Sequence, residues 1–335
     1  MTTALVTGST GFIGARLCRL LLDKGYRVRA FHRSTSQMLL LEGLAVEHVT
    51  GDLTRPETLG DALQGVDVLF HTAAMLGAAE KPGQMYTINV EGTRSLLKAA
   101  LQAGVQRVVH TSSVAALGIP PLRLSPTAEP GLINENHSWS GPGDKWPYGY
   151  SKYLAELEVQ KMVASGLDTV IVNPSLVYGP GDLYKQTSSL VVQVAQRRVP
   201  VLMEGGANVV HVDDVVTGQL AALERGRRGE RYILGGENLP LQTLVCMAAD
   251  VVGGTPPDLV VPAGLLRALA GPISLLQPFI TAAIPLSMLH MAGSYFYYDN
   301  HKAQDQLGWS PRFTALQALT AAYEWFKQQG TIQSN

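Results

Sequence analysis

The sequence predicts an α/β fold: a doubly wound parallel sheet with a smaller, mainly C-terminal substrate domain. Three observations carry this expectation. The first two dozen residues run from an apolar strand through a glycine turn into an amphipathic helix. Strand-like apolar runs then alternate with helical stretches as far as His110, the pattern of parallel strands joined by helical crossovers. The chain has 335 residues, 46% hydrophobic and 16% charged. That is enough for one large domain or two smaller ones, with no sign of disorder.

Ala4, Leu5, Val6 and Thr7 make the first strand. Gly8, Gly11 and Gly14 follow, with Phe12, Ile13, Leu17, Leu20 and Leu21 at helical spacing. In that setting Gly8 permits a tight turn and Gly11 lets a pyrophosphate approach the backbone. Gly14 lets the helix pack on the strand, and the anion sits on the helix's first N–H groups. The spacing is G-x-x-G-x-x-G rather than G-x-G-x-x-G, so alone it indicates a nucleotide and little about chemistry. Residues 28–31 form a second strand ending in His32, Arg33 and Ser34. A Rossmann-type dinucleotide fold places the adenosine ribose here, where an acid would bind the 2′-hydroxyl of NAD. No acid is present, and the Arg33 fork suits a 2′-phosphate; the alternative is an arginine facing water. NADP(H) is therefore preferred, with NAD(H) second.

A third strand, 45–49, leads to Gly51, Asp52 and Leu53. Asp52 either accepts a hydrogen bond from the adenine amino group or caps the helix near Pro56. The fourth strand, 66–70, runs into His71, Thr72, Ala73 and Ala74, small residues suited to close cofactor approach at a strand's carboxyl end. His71 reads as structural rather than as a base. Residues 86–103 are helical, with Leu96, Leu97, Ala100 and Leu101 inward and Asn89 as a polar tie. The fifth strand, 107–110, ends in Thr111, Ser112 and Ser113; no internal repeat appears. Residues 117–147 hold a run of prolines and glycines between two chemical motifs, and a loop of that length is expected to form part of the substrate wall. Tyr148 and Lys152 then open a helix one turn apart on one face. An ammonium there lowers the phenol pKa and makes Tyr148 an acid/base candidate. Tyr150 and Tyr153 lack a lysine at that offset.

The formal net charge of −1 argues against a nucleic-acid partner bound through phosphates, and Arg225, Arg227, Arg228 and Arg231 read as a solvated loop. Two cysteines, Cys18 and Cys246, fit a reduced, cytoplasmic chain. The N-terminus enters a strand at once, with no signal peptide expected. No charged residue lies between Arg267 and His290, a length able to span a membrane, but Pro272, Pro278 and Pro285 interrupt it. Two short buried helices explain this stretch; the alternatives are an apolar pocket and a surface that sits on a membrane. Of these the pocket is favoured over membrane contact, and it predicts a largely hydrophobic substrate.

Together the motifs resemble an extended short-chain dehydrogenase/reductase of the NAD-dependent epimerase/dehydratase superfamily, over nearly the whole chain. The likeness rests on the glycine turn, Gly51-Asp52-Leu53, His71-Thr72-Ala73-Ala74, Thr87-Ile88-Asn89-Val90, His110-Thr111-Ser112-Ser113 and Tyr148-x-x-x-Lys152. Asn173-Pro174-x-x-Val177-Tyr178-Gly179-Pro180 and His211-Val212-Asp213-Asp214 complete it. The resemblance implies a dinucleotide domain of residues 1–178 with 209–236, and a substrate domain of 179–208 with 237–330. It makes Tyr148 the acid/base and Lys152 its electrostatic partner and a ribose ligand. Ser113 holds the substrate oxygen, with Ser112 as the alternative. The cofactor set it implies is Gly8, Thr10, Gly11, Phe12, Ile13, Arg33, Asp52, Leu53, Thr72, Ala73, Ala74, Tyr148, Lys152, Pro174 and Ser175. Asp52 becomes an adenine contact, and Pro174 and Ser175 a nicotinamide wall. His211 to Asp214 becomes a structural corner rather than a metal site.

Nucleotide-sugar members of the superfamily carry two arginines where this chain has Ala207-Asn208 and Met288-Leu289. A diphosphate without a cationic clamp costs desolvation with little return. Val28-Arg29-Ala30 with Arg33, and the run after Ser113, resemble the dihydroflavonol 4-reductase-like branch, which uses NADPH. The implied function is an NADPH-dependent reductase interconverting a small-molecule ketone or aldehyde and an alcohol. The alternatives are a sugar epimerase or dehydratase, and a non-catalytic NADP-sensing module. Helices opening near Tyr86 and at Tyr148 resemble those that pair family members into homodimers.

Overall fold

A computed structural model describes residues 1–76, 82–121, 129–140, 142–143, 146–184, 189–268 and 291–332. The strands in chain order are β1 (Thr3–Thr7), β2 (Arg27–His32), β3 (Glu47–Thr50), β4 (Val68–His71), β5 (Arg107–Thr111) and β6 (Thr169–Pro174). Then come β7 (Leu176–Tyr178), β8 (Leu202–Met203), β9 (Gly206–His211), β10 (Arg231–Leu234), β11 (Glu237–Pro240) and β12 (Val260–Val261). The helices are α1 (Phe12–Asp23), α2 (Leu59–Leu63), α3 (Pro82–Tyr86), α4 (Thr93–Gln102) and α5 (Pro147–Ala164). They continue as α6 (Ser189–Ala195), α7 (Val212–Arg225), α8 (Leu241–Val252), α9 (His301–Leu307) and α10 (Ala315–Gln328).

Seven strands form one parallel sheet in the order β3-β2-β1-β4-β5-β6-β10. This is the Rossmann-type doubly wound fold that the alternation of strands and helices predicts. The inner strands β1, β4, β5 and β6 are covered on both faces and read as buried runs, whereas the edge strand β3 is half exposed. Ala4 and Val6 of β1 join one core with Leu17 and Leu21 of α1 and Val215 and Val216 of α7. Leu5 between them points to the other core, with Leu63 of α2, Leu97 of α4 and Val159 of α5. The strand order reverses between β1 and β4, which opens a crevice at their carboxyl ends, where such sheets bind ligands.

The predicted helix over 86–103 is interrupted. α3 and α4 are joined by a π-helical turn, Thr87–Gly92, and its extra residue turns Asn89 inward. Asn89 Oδ1 accepts from the Met75 amide at 2.7 Å, and its Nδ2 donates to the Met75 carbonyl and to Ser151 Oγ, each at 3.0 Å. The polar tie expected of Asn89 is therefore real.

Residues 209–211, which the resemblance assigns to the dinucleotide domain, do not join the central sheet. They belong to β9, which pairs parallel with β7 and antiparallel with β11 in a separate three-stranded sheet. The reason is that β10 occupies the edge beside β6, so the hydrogen bonds of β9 are made with β7 and β11. Around this small sheet α6, α8 and α10 bury Val191, Leu244, Leu319 and Phe326 against Tyr178. Among the described residues no helix is long and apolar enough to cross a membrane. The uncharged stretch, from 269 to 290, lies outside the described residues, as does the Met288-Leu289 comparison.

Candidate active site

One cavity of about 1010 Å³ runs along the carboxyl ends of the sheet into the small sheet and its helices. All the residues singled out in sequence as site candidates line it: Gly8, Thr10, Gly11, Phe12, Ile13, Arg33, Asp52, Leu53, Thr72, Ala73, Ala74, Ser113, Tyr148, Lys152, Pro174 and Ser175. Ser112, the alternative to Ser113, lines it too.

The glycine turn is built by close backbone approach. Gly8 has φ 67°, and a Cβ there would lie 2.7 Å from the Ala73 amide nitrogen. A Cβ on Gly14 would lie 2.1 Å from the Gly8 carbonyl oxygen, so neither position admits a side chain. Gly11 caps α1 without a side-chain hydrogen bond, which leaves the first turn of the helix facing the cavity as an anion cradle. Thr72 Oγ1 donates to the Thr7 carbonyl at 2.6 Å and pins β4 beside the turn. His71 has the structural part expected of it. It is fully buried, bonded to Thr7 Oγ1 at 2.8 Å and Thr93 Oγ1 at 2.9 Å, and burial holds it neutral with its pKa lowered to about 3. Arg33 is exposed at the mouth of the cavity, next to His32. Asp52 does not cap the helix near Pro56. Its Oδ1 accepts from the Thr54 amide at 2.9 Å and the Thr54 hydroxyl at 2.8 Å, closing a turn one residue too early for the cap, which falls to Arg55. These features fit a dinucleotide: a side-chain-free cradle at a helix start, with an arginine at the end of β2.

Ser113 lies two residues beyond β5 in extended backbone, where it caps the 3₁₀ turn Val114–Leu117, and its Oγ accepts from the Ala115 amide at 3.1 Å. The Ser113 side chain is close enough to Tyr148 to favour its ionised form. Ser112 Oγ is buried and has no partner among the described residues, and Ser113 is the serine that acts on the tyrosine. Lys152 is 2% exposed and donates from Nζ to the Thr111 carbonyl at 2.9 Å. Desolvation brings its pKa down to about 8, opposed by the charge of Glu156. Tyr148 departs from expectation. Burial pushes the phenol up to about 12, and the opposing influence is the Ser113 side chain rather than Lys152. The ammonium is turned to the Thr111 carbonyl and is itself poorly solvated, which is why the pairing read from the helix face does not lower the phenol here.

The small sheet and its helices bring both apolar side chains and Gln193, Glu204 and Asn208 to the cavity. Trp146, Leu190, Met203, Leu244 and Phe296 line it, with the Phe296 ring edge-on to Trp146 at 5.5 Å. Among the described residues, Arg33 and Lys152 are the lysine and arginine side chains on its walls. Asn208, at a position where nucleotide-sugar relatives carry an arginine, is spent on structure: its amide bonds Asn238 at 2.7 Å and both backbone groups of Gly236. Of the described part of the loop before Tyr148, beyond residue 129, Trp146 reaches the cavity, while residues 133–137 brace β10 and the segment near Tyr298. Sequence reading missed Trp146, Met203 and Phe296. A tryptophan two residues before Tyr148 was a usable signal, whereas nothing local marks the other two. His211 to Asp214 forms the corner expected of it: His211 Nδ1 accepts from the Asp213 amide at 3.1 Å, Asp213 pairs with Arg16, and Asp214 holds the Trp309 indole and the Phe313 amide.

A glycine cradle at the switch point of a doubly wound sheet, opening onto Ser113, Tyr148 and Lys152, defines a dinucleotide-dependent oxidoreductase. Residues 4–235 match the NAD dependent epimerase/dehydratase family, and the chain belongs to that family, within the extended short-chain dehydrogenase/reductases. It is 36% identical over 339 residues to a Synechocystis protein provisionally named dihydroflavonol 4-reductase, covering 98% of this chain and 96% of that one. It is 35% identical to sterol demethylase protein B of Methylococcus capsulatus, covering 98% and 100%. The crystal structure of gox2253 superposes with a TM-score of 0.87 at 37% identity, covering 99% and 100%. The chain is thus an NAD(P)-dependent oxidoreductase acting on a small molecule.

Proposed function

We propose that the protein is an NADPH-dependent reductase that interconverts a ketone or aldehyde and an alcohol on a largely apolar substrate. The observation that carries this reading is the cavity itself: Ser113, Tyr148 and Lys152 line it together with Trp146, Met203, Leu244 and Phe296. Arg33, at the far end of β2, favours the 2′-phosphate of NADP(H) over NAD(H).

A bound nicotinamide supplies the hydride, or takes it up in the reverse direction. Ser113 Oγ donates to the substrate oxygen and holds the carbonyl against Tyr148. Tyr148 gives its hydroxyl proton to that oxygen as the carbon receives the hydride, leaving a phenolate. Lys152, as its ammonium, stabilises the phenolate until solvent returns a proton. In oxidation the same tyrosine accepts the alcohol proton. The Thr111 carbonyl keeps Lys152 in place.

The division into a dinucleotide domain of 1–178 with 209–236 and a substrate domain of 179–208 with 237–330 is part of the same reading. We also read the protein as a cytoplasmic homodimer paired through α4 and α5. A sugar epimerase would need a grip on a diphosphate, and the described walls offer no arginine beyond Arg33. A non-catalytic NADP sensor has no use for Ser113, Tyr148 and Lys152 gathered on the wall of one cavity. Tyr148→Phe tests the mechanism: turnover should fall about a thousandfold with NADPH affinity within about twofold of the parent. Near-normal turnover would refute the assignment.

A further inference from the structure

Glu156 is a buried carboxylate that the mechanism above does not use. It is 4% exposed and lies one helical turn beyond Lys152 on α5, so the two side chains share a face. Its Oε1 accepts from Asn173 Nδ2 at 2.7 Å and its Oε2 from Arg231 Nη1 at 3.0 Å. Asn173 is itself fully buried at the end of β6, and its Nδ2 also donates to the Ser113 carbonyl at 2.9 Å. Arg231 is fixed in turn by the carbonyls of Glu135 and His137, at 2.9 and 3.0 Å. An unbroken chain of hydrogen bonds therefore runs from Arg231 through Glu156 and Asn173 to the backbone of Ser113.

We propose that Glu156 is a positioning residue for the reaction, holding Lys152 as its ammonium and, through Asn173, fixing the backbone that carries Ser113. The inference rests on the Ser113–Tyr148–Lys152 reading given above. Lys152 needs such a partner because it is buried with a single carbonyl acceptor and no direct ion pair among the described residues. The other titratable groups around it cannot supply a negative charge. His71 on β4 and His110 on β5 are buried and held neutral, Lys152 itself contributing to their lowered pKa. Tyr86 on α3 and Tyr148 on α5 are phenols raised by burial. Glu158 on α5 is already paired with Arg94 of α4 and with Lys161, and Glu91 on the π-helical turn is exposed. The 3₁₀ turn Val114–Leu117, packed against α5, has no titratable side chain. Glu156 is the carboxylate whose charge supports the ammonium. Arg231 pairs with one of its oxygens at 3.0 Å.

The test is the pH profile of kcat in the reduction direction for Glu156→Gln. The alkaline limb reports the first proton lost by the coupled Tyr148–Lys152 pair. Removing the negative charge makes that loss easier, so the limb should move down by about one pH unit. Turnover should then fall about tenfold at pH 9 and stay within about twofold of the parent at pH 6. Should the glutamine variant not fold, Glu156→Asp carries the test: its shorter arm withdraws the charge from Lys152, and the limb should move the same way by a few tenths of a unit. A limb that stays in place in whichever variant folds, with turnover reduced by one factor at every pH, overturns the proposal and leaves Glu156 as scaffolding. Lys152→Met separates this from failure of the underlying mechanism. If that variant keeps its turnover, the Ser-Tyr-Lys reading fails and takes the inference with it. If it loses turnover while the Glu156 variant shows no shift, only the inference fails.

Discussion

The two ends of the cavity are built by different means. The cofactor end is made of backbone: the Gly8 turn, the start of α1 and the ends of β1, β2 and β4 meet with no room for a Cβ at Gly8 or Gly14. The substrate end is made of side chains from segments far apart in sequence, Trp146 before α5, Met203 on β8, Leu244 on α8 and Phe296. Backbone close to backbone tolerates almost no substitution. A wall of side chains can be resurfaced one residue at a time while the fold persists. That contrast explains how one family can keep its nucleotide site and vary what it transforms.

The contrast can be broken in graded steps. The largest effect should come from Gly14→Ala. The added methyl meets the Gly8 carbonyl oxygen at 2.1 Å and the Gly8 carbonyl carbon at 2.7 Å, and backbone cannot step aside as a side chain can. The clash should cost about 1–3 kcal/mol, read as a tenfold to hundredfold loss of NADPH affinity by titration, with a lower Tm. Arg33→Ala should be milder and selective. Losing a charge-assisted contact at an exposed site should raise the Kd for NADPH about tenfold and leave that for NADH within about twofold; equal losses for both would remove Arg33 from the 2′-phosphate. Phe296→Ala should be smallest at the cofactor end and visible only at the other. It should raise KM for an apolar ketone about fivefold through lost apolar contact, with kcat and NADPH affinity nearly unchanged. A Phe296 variant that weakened NADPH as much as ketone would dissolve the distinction between the two ends.

The same distinction governs what could be read from sequence. Gly8, Gly11 and Gly14, the residues after β4, and Tyr148 with Lys152 are fixed by short-range spacing, and spacing is visible in a linear chain. The inner strands of the central sheet were legible for a related reason: burial on both faces demands an apolar run. Two things were not legible. Residues 209–211 look like one more buried strand, and only the occupied edge beside β6 sends them to a second sheet. Lys152 and Tyr148 share a helical face as the sequence says, but the Thr111 carbonyl that claims the ammonium belongs to β5, 41 positions away. Charge state here follows from tertiary neighbours. Glu156, at the next turn of the same helix, could have been counted from sequence, but Asn173 and Arg231, which give it meaning, could not.

The central claim is net reduction of an apolar carbonyl compound at the Ser113–Tyr148–Lys152 edge of this cavity. It is tested most directly by incubating the purified protein with NADPH and a panel running from small polar ketones to aromatic and long-chain ones, beside nucleotide sugars, while following NADPH oxidation and product together. The account predicts one NADPH consumed for each alcohol formed, with the aromatic and long-chain ketones turned over fastest. Epimerised or dehydrated nucleotide sugar without net NADPH consumption, or reduction confined to small polar ketones, would contradict it.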